Sequence, residues 1–299
     1  MGLKEINSLE DLARVKSVVA RSTKKTGYCI LNADDELVYA MKNELSCSIA
    51  LFAMQENHRI QEHWMTGGLV CYLENDFIVV QRGKDKNYIA QVSHIPISFK
   101  ATATCMIKNI LPAILAGVLS NFPLTDIESA LYDFLPNPEN LPGRMNIFNF
   151  GQAQLMVDYA HNEGAYIELK NYLSTIKKKR TIGIISVAGD RRPIDMQKVG
   201  YYAAEIFDEI IIKHDKNTRG NTNENITKAL TQGIALSKSQ ALVEVISDEY
   251  TAIKEALDRA TADTFIFYSP EKILQAIEFI KQQQETYKQS NFINESSLL

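Results

Sequence analysis

The chain has 299 residues, enough for two domains of ordinary size, each with its own core. Hydrophobic residues make up 45% and charged residues 23%, the balance of a globular chain and not of a disordered one. A net charge of −4 and a pI near 5.8 exclude a general affinity for nucleic acid or an anionic membrane. No apolar run approaches the roughly 18 residues of a membrane span. Residues 1–6 have neither the apolar core nor the cleavage site of a signal peptide. Cys29, Cys47, Cys71 and Cys105 are far apart, with no C-x-x-C pair. They read as small apolar residues of a reducing compartment, and the cytoplasm is the expected location.

From the N-terminus, Leu9, Leu12, Val15, Val18 and Val19 recur at helical spacing behind Ser8, a plausible cap. Lys16 lies on this predicted helix, where a solvated lysine is the ordinary reading. A β-type run over 27–31 is broken by Asn32-Ala33-Asp34-Asp35, and a helix is predicted over 36–43. A strand follows over 48–52. Three further β-rich runs, 69–73, 77–81 and 88–92, are separated by turn residues and predict an antiparallel meander. Helices are expected over 103–120, with Pro112 inside as a potential kink, and over 125–135.

Residues 135–143 carry three prolines and a glycine, so neither helix nor ladder continues through them. The expected domains are therefore 1–138 and 139–299. Beyond this point strands at 154–158, 181–187, 209–213, 242–246 and 264–267 alternate with helices near 163–177, 194–207, 223–236, 248–261 and 270–287. Such alternation specifies right-handed β-α-β units and a Rossmann-like, mostly parallel sheet flanked by helices. The fold class is thus α/β, with a smaller α/β domain and its meander in front. The tail from Gln289 is polar, and fraying is expected there.

Three strand ends in the second half carry polar clusters: Asp158-Tyr159-Ala160-His161-Asn162, Ala188-Gly189-Asp190-Arg191-Arg192 and Lys213 through Gly220. In an open parallel sheet all three fall at the carboxyl edge, where such folds bind ligands. Arginines there suit a carboxylate or phosphate, and aspartates suit a ribose hydroxyl or an amine. The plainer reading is a set of helix caps and loop ion pairs, each contributing little.

Gly143-Arg144-Met145, Val157 through Asn162, Gly189 through Arg192 and Asn217-Thr218-Arg219-Gly220 resemble the C-terminal domain of the Mur ligase superfamily, and most of all the Mur-ligase-like part of the cyanophycin synthetases. Residues 8–19 and Leu31 through Asp35 resemble the second half of that family's central ATPase domain, so the likeness covers nearly the whole chain. It implies an ATP-dependent reaction in which a carboxylate is phosphorylated and an amine attacks the acyl phosphate. In the cyanophycin synthetases, arginine is joined in this way to aspartate side chains of a poly-aspartate backbone. The resemblance assigns Arg144 to the ATP phosphates, Asp158 to the ribose with His161 nearby, and Asn109 to adenine. It puts Lys16 where many relatives carry a carbamoylated lysine at a magnesium site. Asp190, Arg191, Arg192, Asn217 and Arg219 would meet the amino-acid substrate.

The chain also departs from the family. No G-x-x-x-x-G-K-[ST] phosphate loop is present, and the only glycine followed by lysine is Gly83-Lys84, in a predicted turn. The family's acidic and histidine magnesium ligands and the ATP-grasp half of the cyanophycin synthetases are missing too, so no metal site is complete. The chain is expected to be the C-terminal portion of a longer enzyme, inactive alone, with the missing half or a second copy as its partner. Unpaired edges of a partial parallel sheet would favour such association. The alternative is a non-catalytic module that binds an amino acid or an Asp-Arg polymer. A dinucleotide-binding enzyme would need a G-x-G-x-x-G turn, which the chain lacks.

Overall fold

A computed structural model describes residue 6 and residues 8–296, with side chains as far as 289. The chain forms two compact units, residues 1–135 and 136–299. No helix among the described residues is long and apolar enough to cross a membrane.

In the first unit α1 (Leu9–Arg21) opens with a complete capping box. The Ser8 hydroxyl accepts from the Asp11 amide, and the Asp11 carboxylate accepts from the Ser8 amide. Ser8→Ala removes one of those bonds and is expected to cost about 1 kcal/mol locally. Faster amide exchange confined to the first turn of α1 would check this. The apolar stripe read from the sequence does not form a buried face: Leu9, Val15, Val18 and Val19 are exposed, and Ser17 and Ala20 are the buried residues. Lys16 is exposed as well.

The strands β1 (Tyr28–Asn32), β2 (Ser48–Phe52), β3 (Leu69–Glu74), β4 (Phe77–Arg82) and β5 (Asp85–Gln91) make one sheet in chain order. The first three are parallel; β3, β4 and β5 form the antiparallel meander. Period-2 alternation sends Leu69, Cys71, Ile78 and Val80 to one face and Val70, Tyr72 and Val79 to the other. The first face is covered by α4 (Thr104–Leu119) and α5 (Leu124–Asp133), and the helix runs on through Pro112. Ile60 and Trp64 of α3 (His58–Met65) and Val38 of α2 (Glu36–Ala40) cover the second. Helix α3 is an addition to the sequence reading, and α2 ends in a 3-10 turn over Met41–Glu44.

The second unit holds a six-stranded sheet. Its strands are β6 (Asn146–Phe150), β7 (Ala153–Val157), β8 (Arg180–Ile185), β9 (Glu209–Ile212), β10 (Leu242–Val245) and β11 (Thr264–Tyr268). The lateral order is β10-β9-β8-β11-β7-β6, with every pairing parallel except the β6–β7 hairpin. Strand β6 is a second addition, and β11 lies between β7 and β8. One face packs on α9 (Glu249–Asp258) and α10 (Ile273–Ser296) through Ala252, Ile253, Ala276 and Ile280. Helices α6 (Glu163–Thr175), α7 (Pro193–Ile206) and α8 (Asn223–Leu236) bring their own buried residues, and Tyr166 of α6 meets Phe267 of β11 edge-on. The final helix continues to Ser296, beyond the point where fraying was expected.

Candidate functional site

Because β7, β8, β9 and β11 run parallel, the residues that follow them gather at one edge of the second unit's sheet. A hollow of about 160 Å³ opens there. Tyr159 and His161 line it after β7, Ser186 to Ala188 after β8, Asp215, Asn217 and Arg219 after β9, and Ser269 to Lys272 after β11. A larger hollow, about 440 Å³, lies at the amino ends of β7 and β11, but no lysine, arginine or histidine lines it. The smaller one holds the charged chemistry.

The loops are held close by shape and by bonds. A Cβ on Gly189 would stand 2.2 Å from the Thr218 carbonyl oxygen, so only glycine lets the loop after β8 lie against the loop after β9. The Asn221 amide donates to the Gly189 carbonyl across the same contact. Asp190 and Arg219 meet at 3.4 Å, and an Arg219 nitrogen stands 3.5 Å from the Tyr159 hydroxyl. Both contacts are long and about half exposed, so they leave the Arg219 guanidinium available to a ligand.

His161 turns Nδ1 to the Tyr159 carbonyl at 2.8 Å, which assigns the proton to Nδ1 and leaves a lone pair on Nε2. Its pKa is lowered, first by burial and then by the charges of Arg191, Arg144 and Arg219, against the opposing effect of the Tyr159 bond. An imidazole whose charged form is disfavoured, standing in the field of three guanidinium groups, is an anion-receptive arrangement that also contains a proton acceptor.

Asp158 is differently placed. One carboxylate oxygen accepts from the Met145 amide at 3.0 Å, and the Tyr159 amide donates to Gly143, so the aspartate fastens the turn that carries Arg144. Gly143 and Met145 both have positive φ in that turn. Burial pushes the Asp158 carboxyl up to about 6, against the pull of the Met145 amide and of Arg144. Asn162, and not Asp158, caps α6.

Under this hollow lies a charged group whose Lys213 and Asp215 fall in the third polar cluster of the sequence but carry no predicted role of their own. The Lys213 ammonium, wholly buried, lies 2.5 Å from Asp215 and 2.9 Å from Glu249. Asp215 also accepts from the Ser186 hydroxyl at 2.8 Å. Glu249 accepts from the Glu271 amide at 3.2 Å, and the Glu271 carboxylate accepts the Lys216 and Asn217 amides at 2.8 and 3.0 Å. The signal for the Ser269–Lys272 wall was available: polar residues follow the apolar run of β11 just as they follow β7, β8 and β9.

Of the predicted site residues, the structure gathers Arg144, Asp158, His161, Asp190, Arg191, Asn217 and Arg219 at this edge. Arg192 is engaged by its own helix. It occupies the N-cap position of α7 without a side-chain cap bond and donates through two nitrogens to Asp195, at 2.8 and 2.9 Å; like Arg144, Asp158, Asp190 and Arg191 it stands beside the hollow's lining and not in it. Lys16 and Asn109 belong to the first unit, both exposed, on α1 and α4. No group of three or more His, Cys, Asp or Glu among the described residues could hold a metal ion.

A family model described as Mur ligase, glutamate ligase domain, matches residues 143–272, a range that includes every residue of the hollow. Through that stretch the chain belongs to the Mur ligase superfamily. Cyanophycin synthetase of Nostoc sp. (strain PCC 7120 / SAG 25.82 / UTEX 2576) is 36% identical over 282 residues, 94% of this chain and 31% of that protein. The Synechocystis sp. (strain ATCC 27184 / PCC 6803 / Kazusa) protein of the same name is 34% identical over 282 residues, 94% of this chain and 32% of the relative. The chain thus spans about a third of the length of these curated relatives. Among solved structures, E. coli FolC in complex with DHPP and ADP superposes with a TM-score of 0.65 at 15% identity, covering 93% of this chain and 58% of that one. A murein peptide ligase from Psychrobacter arcticus 273-4 gives 0.64 at 15%, covering 92% and 54%. These likenesses establish the Mur ligase fold, a mixed α/β architecture of two sheets with flanking helices, as the alternation of strands and helices implied.

Proposed function

We propose that the chain is the amino-acid-binding portion of an ATP-dependent amide ligase of the cyanophycin-synthetase type, joining arginine to side-chain carboxylates of a poly-aspartate backbone. The observation that carries this reading is the pairing of His161, amid Arg144, Arg191 and Arg219, with a hollow walled by Asp215 and Glu271. A cationic amino acid needs both: guanidinium groups for its carboxylate and acidic groups for its positive charges. The His161 Nε2 lone pair is placed to take the proton an amine must shed before it attacks a carbonyl. The arginines stabilise anionic charge that develops beside it.

When bound, ATP would supply the phosphoryl group that activates the acceptor carboxylate. Arg144, exposed on its fastened turn, fits a phosphate, and Asn109 is the residue proposed for adenine. Magnesium fits less well: Lys16 has no grouped His, Cys, Asp or Glu donors among the described residues, so no step is assigned to a metal. With no phosphate loop in its sequence, the chain is proposed to be inactive by itself and to depend on residues supplied from elsewhere. The cytoplasm, where arginine and ATP are both available, is the proposed location.

Calorimetry with L-arginine, ATP-magnesium and a short Asp-Arg polymer tests the proposal. Arginine is expected to bind, and Arg219→Ala to weaken it about tenfold while leaving agmatine, which has no carboxylate, nearly unaffected. No amide is expected from arginine, ATP and an aspartate-rich acceptor, and steady amide formation by the chain alone would refute the inactivity. The missing phosphate loop favours one second reading, a binding module without ATP chemistry. Polymer binding that needs no nucleotide would select it.

A further inference from the structure

Among the described residues Lys213 is the only charged side chain in the buried class. Taking an ammonium out of water is costly, and a methionine of similar length would fill the space without that penalty. The bonds of Lys213 show what the charge does there. Through Asp215 it ties the end of β9 to Ser186 after β8. Through Glu249 it ties the start of α9 to the Glu271 amide after β11. The Glu271 side chain then returns to the Lys216 and Asn217 amides, closing a ring of polar contacts under the loop that carries Arg219. The Arg219 amide itself donates to the Asn217 side chain at 3.0 Å, so the ring extends to the arginine's own backbone.

We infer that Lys213 is a positioning residue: its buried ammonium clasps the loops after β8, β9 and β11 and so holds Arg219 and Glu271, which both line the hollow, in a fixed relation to each other. This rests on the reading of the hollow as an amino-acid site. It adds that the placement of the binding loops is set by a residue that does not itself line the hollow. Both carboxylates of the clasp are mostly covered, each with 16% of its side chain exposed, so solvent competes weakly for the contacts.

The test uses the whole chain. Lys213→Met alone strands two covered carboxylates and endangers folding, so the informative variant is Lys213→Met with Glu249→Gln. That pair leaves the net charge of the trio unchanged and keeps an acceptor for the Glu271 amide. Amides 214–219 are expected to exchange about tenfold faster or more, those of α7 and α8 remaining as in the native chain. The ratio of L-arginine to agmatine affinity, read by calorimetry, is expected to fall towards one as Arg219 loses its set place. A general loss of structure would weaken both ligands equally and leave that ratio alone. Unchanged exchange over 214–219, or a native ratio in the variant, overturns the inference. If the native chain binds no arginine, the amino-acid reading of the hollow fails, and the exchange measurement alone decides the role of Lys213.

Discussion

Replacing Lys213 by methionine, with nothing else changed, is expected to lower the stability of the second unit by about 3–5 kcal/mol. The side chain is fully buried, and its two carboxylate partners, Asp215 and Glu249, would be left facing each other with most of their surface covered. Removing one member of a buried charge cluster leaves the remaining charges without compensation, and that penalty exceeds the net contribution of the intact cluster. Urea denaturation at neutral pH measures the effect. A loss below about 1 kcal/mol would mean that water reaches both carboxylates and screens them as it screens surface pairs.

Asp158→Asn is expected to act in the opposite direction. The native carboxyl titrates near 6, above its ordinary 3.8, because burial disfavours the charged form. Between those two pH values the folded chain holds a proton that the unfolded chain has released, so native stability falls as pH rises from about 4 to about 6 and then levels off. Asparagine carries no charge at any of these pH values, and its side-chain oxygen can still accept from the Met145 amide. The variant should therefore be more stable than the native chain by about 2–3 kcal/mol at pH 8, the difference vanishing below about pH 4. Thermal melts across that range check it. An advantage independent of pH would place its origin outside the ionisation of Asp158. The same variant is expected to bind nucleotide no more tightly, since the group serves the turn under Arg144.

Much of the second unit was legible because its inner strands, β8, β9 and β11, are buried on both faces and read as apolar runs between helical periods. Strand β6 was harder to see. Asn146-Ile147-Phe148-Asn149-Phe150 follows a proline- and glycine-rich turn and pairs with β7 only through the tight bend at Gly151-Gln152. Helix α3 offers two packed apolar residues, Ile60 and Trp64, too few for a period. Lateral strand order leaves no trace in local pattern, so the place of β11 between β7 and β8 could not be read in advance, although the polar residues that follow it could. Arg192 shows the limit at the level of single residues. An arginine three positions before Asp195 can serve a ligand or its own helix, and its pairing with Asp195 is not visible in the cluster pattern. The stripe on α1 shows it for packing: periodicity identified the helix but not which side would be covered.

The central position of β11 also bears on how the protein is made. Emerging from the ribosome, β7 and β8 are complete long before Thr264–Tyr268 is translated, and each must wait with its inner hydrogen-bonding row open. The nascent second unit therefore passes through a stage with a slot at its middle, the kind of species that chaperones hold and that neighbouring copies can enter by swapping strands. Any message that stops short of that segment would leave a chain unable to close its own sheet.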